Sequence, residues 1–255
     1  MSLRLLVSVM DAAEAVRAVG AGADIVDLKD PAEGSLGAPR PATVRRVRRA
    51  VRAGVPVSVA IGDLPHLPGT AALAARGAAE CGAAFVKVGL WGSSSEEEAV
   101  ALLRAVREAV DDLPGVAVIA GAYADAARMP SRPLPPRLIA RVAAEAGVAG
   151  CLVDTGVKDG RGLLHWLAPE AIAGLADEAR AAGLLFAVAG SLAADDIAAV
   201  RALGPDIVGV RSAACRDGRR DGPLDRARVR RLHGLCRAGA AGRGVVAQAD
   251  SLATS

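Results

Sequence analysis

The stretch DIVDLKD, residues 24–30, is a short apolar run that ends in charge. Its period-2 alternation puts Ile25, Asp27 and Lys29 on one face and Val26 and Leu28 on the other, as in a β-strand. Seven more runs share this character: LRLLVSV (3–9), VPVSVAI (55–61), FVKVG (85–89), VAVIA (116–120), GCLVD (150–154), LLFAVAG (184–190) and DIVGV (206–210). Between and after them lie Ala/Arg/Glu-rich segments of helical period near 11–19, 42–53, 70–81, 95–110, 136–146, 169–182, 194–203 and 224–237. Ser95 before Glu96, Glu97 and Glu98 loads a first turn with negative charge, and Gly54 and Gly183 stand where helices should stop.

Near-continuously apolar strands separated by helices imply parallel strands covered on both faces and joined by right-handed crossovers. Eight such units predict a single (β/α)8 TIM barrel over residues 1–237. The competing arrangement is a doubly wound open sheet, but no G-x-G-x-x-G follows the first run. Residues 238–255 lose the period and gain Gly, Ala and Ser, as expected of a disordered tail.

Composition narrows the function. No apolar run approaches the roughly 18 residues of a membrane helix, so no membrane partner is expected. The formal charge of +3 and five aromatic residues argue against nucleic acid. Cys81, Cys151, Cys215 and Cys236 show no C-x-x-C spacing, no leader-like segment opens the chain, and a cytoplasmic protein is the default. His66, His165 and His233 lie in different segments and form no metal constellation. Barrels of this size often self-associate, so a homo-oligomer is expected on general grounds.

The basic residues are uneven: lysine occurs only at Lys29, Lys87 and Lys158, and arginine supplies the other 28 of 31. All three lysines fall at the C-terminal ends of runs two, four and six, the face where such barrels keep their chemistry. Arginine holds its proton, whereas a partly desolvated lysine releases it and can attack a carbonyl. Alternation also points Asp27, Lys87 and Asp154 inward, with Lys158 in the loop beyond, so three amines and two carboxylates share one mouth. Runs seven and eight each carry a glycine at the strand end, with a small hydroxyl residue opening the segment beyond. Gly190, Ser191, Gly209, Arg211 and Ser212 therefore offer a site for a substrate phosphate. The loop PAEGSLGAPRP (31–41) reads as an ordered lid or as a plain surface loop, and Asp63, Gly121, Tyr123 and Asp125 also reach the active face.

The strings GADIVDLKDPAEGSLGAPRP (22–41), FVKVGL (85–90), LVDTGVKDGRGL (152–163) and AGSL (189–192) resemble the (5-formylfuran-3-yl)methyl phosphate synthases, also called 4-(hydroxymethyl)-2-furancarboxaldehyde-phosphate synthases. The likeness spans nearly the whole barrel and keeps the lysines and both aspartates in order. It implies a fold like that of class I aldolases and condensation of two molecules of glyceraldehyde 3-phosphate to a phosphorylated furan aldehyde, a precursor of methanofuran-type cofactors. It places the Schiff base on Lys29 and proton acceptance on Lys87, with Asp27, Asp154 and Lys158 completing the site; a strand-four lysine at the barrel centre is also placed to form an imine. No metal or cofactor is implied, because the protonated imine is the electron sink. An ordinary class I aldolase, or an isomerase acting on triose phosphates, would use the same residues. A non-catalytic sugar-phosphate binder would give no reason to prefer lysine over arginine.

Overall fold

The computed structural model describes residues 3–238. The expected tail therefore lies, apart from Ala238, outside the described residues. Eight parallel strands close into a barrel in sequence order: β1 (Arg4–Val9), β2 (Ile25–Leu28), β3 (Val57–Pro65), β4 (Phe85–Gly92), β5 (Ala117–Tyr123), β6 (Gly150–Asp154), β7 (Leu185–Val188) and β8 (Ile207–Val210). β1 pairs with both β2 and β8, with Leu6 opposite Ile25 on one side and Gly209 on the other. The helices are α1 (Ala12–Val19), α2 (Pro41–Ala50), α3 (Pro68–Glu80), α4 (Glu96–Glu108), α5 (Ile139–Ala146), α6 (Leu163–Trp166), α7 (Pro169–Ala181), α8 (Ile197–Ala202) and α9 (Arg226–Arg237). None is long and apolar enough to cross a membrane.

Strand alternation sorts the core into two layers. Leu6, Ile25, Ile119, Leu152 and Ile207 cluster inside the barrel, while Val7, Val26, Leu28, Val86 and Val208 pack in the outer layer with the helices. The aspartates that open two of the runs have a structural use: Asp24 accepts the Leu5 N–H at 2.8 Å and Asp206 accepts the Phe186 N–H at 2.9 Å. Each satisfies an amide at the start of the neighbouring strand.

Three strands run past their apolar stretches. The register between β3 and β4 shifts between Ala60 and Asp63, where Gly62 takes φ 116°, a conformation that strains any residue with a Cβ. This bulge lets β3 and β4 stay paired beyond the rim, carrying Asp63 toward the end of β5. At Gly89 a Cβ would lie 2.2 Å from Tyr123 Oη and 2.7 Å from Asp63 Oδ1, so only glycine permits that approach.

Helix ends follow local chemistry. Ser95 caps α4 by accepting the Glu98 N–H at 3.2 Å, and the Glu98 carboxylate accepts the Ser94 N–H at 2.8 Å. α2 stops at Ala50, short of the expected 53, because Val51 turns extended and Arg48 binds the carbonyls of Val51, Arg52 and Val55 at 2.7–3.0 Å. The segments 136–146 and 194–203 each open with a 3₁₀ turn, and Gly183 (φ 71°) follows the last turn of α7. The short α6 lacks a periodic pattern in sequence; it is held by burial of Leu163 and by its N–H, which donates to Gly190 O at 2.8 Å.

Candidate active site

The C-terminal mouth of the barrel gathers Lys29, Lys87, Lys158, Asp27 and Asp154 around one pocket. β2 supplies Asp27, and Lys29 follows it two residues on along the same face; β4 supplies Lys87; β6 ends on Asp154, with Lys158 in the loop after it. Asp27 and Lys87 are only 1% and 5% exposed, and Lys87 Nζ stands 2.6 Å from Asp27 Oδ1. Ser8 Oγ donates to Asp27 Oδ2 at 3.2 Å from β1. The buried Ser58 stands opposite Asp27 in the register of β3 with β2.

A second carboxylate joins the other two amines. Lys158 Nζ donates to Asp154 Oδ1 at 2.9 Å, to Thr155 O at 2.6 Å and to Thr155 Oγ1 at 3.0 Å. Lys29 Nζ stands 3.6 Å from Asp154 Oδ2, beyond hydrogen-bond distance, and donates to no acceptor among the described residues. Lys29 is thus the one amine of the three that no carboxylate holds at hydrogen-bond distance.

The electrostatics separate the groups. Burial pushes the Lys87 amine below its ordinary value, aided by the charge of Lys29 and only partly offset by Asp27. Lys158 is lowered in the same way, by burial and by Lys29 against the pull of Asp154. Burial works to raise both carboxylates, yet Lys87 and Lys29 hold Asp27 below its ordinary value, and Lys158 and Lys29 hold Asp154 well below the usual carboxylate range. The pocket therefore keeps two carboxylates charged while making at least two amines easier to deprotonate.

The loop 31–41 is an ordered plug. Ser35 Oγ donates to Thr155 O at 2.8 Å, and the Leu36 N–H donates to Asp63 Oδ2 at 3.1 Å. The fully buried Leu36 joins Tyr123 and Met129 in the inner apolar cluster. Tyr123 donates its hydroxyl to Asp63 and lies outside the pocket wall, so the only tyrosine secures the plug and offers no hydroxyl to the pocket. Its phenol is pushed well above the ordinary value by burial and by the Asp63 charge. Asp125 accepts the N–H groups of Gly156 (2.6 Å) and Val157 (2.8 Å), fixing the loop that carries Lys158.

Gly190, Ser191, Gly209 and Ser212 line the same pocket. Gly190 and Ser191 both take left-handed φ values, 110° and 49°, and Ser191 is one of three non-glycine residues to do so among the described residues. Arg211 stands in this lining as expected, but its guanidinium is already occupied. All five N–H groups of its guanidinium are engaged, with Glu14 (2.6 and 3.1 Å) and the carbonyls of Ser8, Arg220 and Gly222 (2.9–3.2 Å), so its side chain has no donor left for a phosphate. Glu14 is on the buried face of α1. Arg220, nine residues beyond Arg211, lines the same pocket. It carries no motif and sits in an arginine-rich loop, so nothing in the sequence distinguished it.

Fold and site define a (β/α)8 barrel with a lysine–carboxylate centre at the C-terminal face of its strands. The 4-HFC-P synthase family profile matches residues 5–233. A (5-formylfuran-3-yl)methyl phosphate synthase of Methanocaldococcus jannaschii is 42% identical over 91% of this chain and 99% of its own. Those of Methanosarcina mazei and Methanopyrus kandleri are 44% and 46% identical over 92% and 86% of this chain and 100% and 92% of theirs. The chain belongs to the 4-HFC-P synthase family. Among solved structures, 3-hexulose-6-phosphate synthase from Salmonella typhimurium (TM-score 0.64, 17% identity, 92% of this chain and 99% of that one) and phosphoribosyl anthranilate isomerase from Thermus thermophilus (TM-score 0.61, 17% identity, 92% and 99%) share the barrel. At that identity they speak for the fold alone.

Proposed function

We propose that this protein is a Schiff-base enzyme that condenses two molecules of glyceraldehyde 3-phosphate into (5-formylfuran-3-yl)methyl phosphate. The observation that carries this reading is the unbonded amine of Lys29 beside two carboxylate-held amines in one buried pocket. The name shared by the curated relatives supports the product.

In this reading Lys29 adds to the carbonyl of one triose phosphate, and loss of water gives a protonated imine. Lys87, whose proton affinity is lowered by burial, takes the adjacent C–H proton, and the C–H electron pair moves into the imine to give an enamine. Asp27 holds the resulting Lys87 ammonium at 2.6 Å. The enamine carbon attacks the aldehyde of the second molecule. Ring closure, elimination and hydrolysis of the imine then release the furan aldehyde with one phosphate and two waters, which balances the atoms. Asp154 stays ionised and orients Lys29 and Lys158, and Lys158 stabilises the oxyanion formed in the addition. The four free, buried cysteines suit a reducing cytoplasm, and the furan would feed methanofuran-type cofactors.

The test is borohydride reduction in the presence of glyceraldehyde 3-phosphate, followed by mass spectrometry of the protein and analysis of the product. A mass increase on the peptide containing Lys29, its absence in Lys29→Arg, and release of a furan aldehyde with phosphate are expected. An adduct on Lys87 would reassign the imine. A simple aldol or an isomer as sole product would replace the furan reaction with ordinary class I aldolase or isomerase activity.

A further inference from the structure

We propose that Arg220 is the side-chain clamp for a substrate phosphate and that the buried Glu14–Arg211 pair exists to position it; this rests on the phosphorylated-substrate reading above. Arg220 lines the pocket with Gly190, Ser191 and Ser212, and its Nε is buried without a hydrogen-bond partner. None of its side-chain N–H groups meets an acceptor among the described residues, and the neighbouring Asp221 is taken by Arg219 at 2.8 Å. An unpaired guanidinium nitrogen shut away from water is costly unless a ligand completes it. An anion with several oxygens in one plane of approach is the natural partner of that fork.

Among the influences on Lys158, the dominant one is burial, and Arg220 is the cation that acts on it after Lys29. Arg220 shares one pocket lining with Lys29, Lys87 and Lys158. Gly190 and Ser191 turn left-handed in the same lining, so the pocket offers both backbone and guanidinium to an anion.

The loop that carries Arg220 is braced. Cys215 and Leu224 form an antiparallel bridge at its base, and the Arg216 N–H donates to Pro223 O at 2.9 Å. Arg211 then reaches up from the end of β8 to bind the Arg220 and Gly222 carbonyls at 2.9 and 3.2 Å, while Glu14 fixes the far side of its guanidinium from α1. Arg211 thus holds the backbone of Arg220 in place, and Glu14 holds Arg211. Arg211 and Glu14 are positioning residues; Arg220 contacts substrate.

Three readouts on the full chain test this: the Kd of inorganic phosphate, KM for glyceraldehyde 3-phosphate, and the preference for that substrate over unphosphorylated glyceraldehyde in borohydride-trapped adducts. Arg220→Ala should weaken phosphate binding and raise KM by about 10- to 100-fold and should reduce the preference by a similar factor, with Arg220→Lys recovering only part of the loss. Arg211→Lys should raise the phosphate Kd in the wild-type background and add nothing in the Arg220→Ala background. Unchanged phosphate affinity and preference in Arg220→Ala would overturn the clamp, as would absence of phosphate affinity in the wild type. An equal effect of Arg211→Lys in both backgrounds would overturn the positioning role. If phosphate binds but no adduct is trapped, the imine reading fails while the phosphate Kd still decides the role of Arg220.

Discussion

Lys87 Nζ and Asp27 Oδ1 lie 2.6 Å apart, on strands that are not neighbours in the barrel, with both side chains shut away from solvent. The carboxylate raises the proton affinity of an amine that burial lowers. Asp27→Asn removes the charge that favours the ammonium, so Lys87 should lose its proton at lower pH. The acidic limb of the kcat/KM profile should move to lower pH, with a smaller kcat as the base weakens. A limb that stays in place would separate Lys87 from the titrating base.

Acid should unfold the protein partly through Asp154. Its folded-state proton affinity is depressed, so its stabilising contribution is present above the unfolded value of 3.8 and is lost as pH falls from there toward the folded value. Each tenfold difference in proton affinity corresponds to about 1.4 kcal/mol. Asp154→Asn should flatten the decline of thermal midpoint with pH below about pH 4. A decline as steep as that of wild type would show that other carboxylates govern acid unfolding. Asp27 has the same sign and adds to the wild-type slope.

Glu14→Ala should be severe for an α1 substitution. It leaves Arg211, 9% exposed, without the carboxylate that binds it at 2.6 and 3.1 Å. Removing one partner of a buried pair costs about 3–5 kcal/mol, which urea unfolding would read directly. A loss below about 1 kcal/mol, typical of an exposed pair, would mean that water reaches the guanidinium.

Asp63→Ala should loosen the plug with little effect on the barrel. It removes the acceptors for Tyr123 and for the Leu36 N–H. Hydrogen exchange at Leu36 should accelerate strongly, whereas exchange in β1 and β8 should not change. Equal protection of Leu36 in the variant would show that burial of its side chain is enough to hold the loop.

The barrel was legible because eight apolar runs must each be covered on both faces, and closed parallel pairing satisfies all of them. The lysines and aspartates were legible because strand alternation fixes which side chains face inward. Three things were not. The overrun of β3 and β4 depends on a bulge at Gly62 and a close approach at Gly89, neither of which leaves a periodic signal. The use of Tyr123 depends on Asp63, sixty positions away. Arg211 stood where a phosphate ligand belongs, but a guanidinium is available only if nothing else takes its donors. Glu14 does so from 197 positions away in the chain.

The collection of every lysine at one barrel mouth has a spectroscopic consequence. Isotope labelling of lysine side chains alone would report three Nζ sites, all of them in the pocket. Titration, imine formation and substrate exchange could each be followed as the behaviour of three resolved nuclei with no surface background, a view of catalysis that an ordinary lysine-rich protein does not allow.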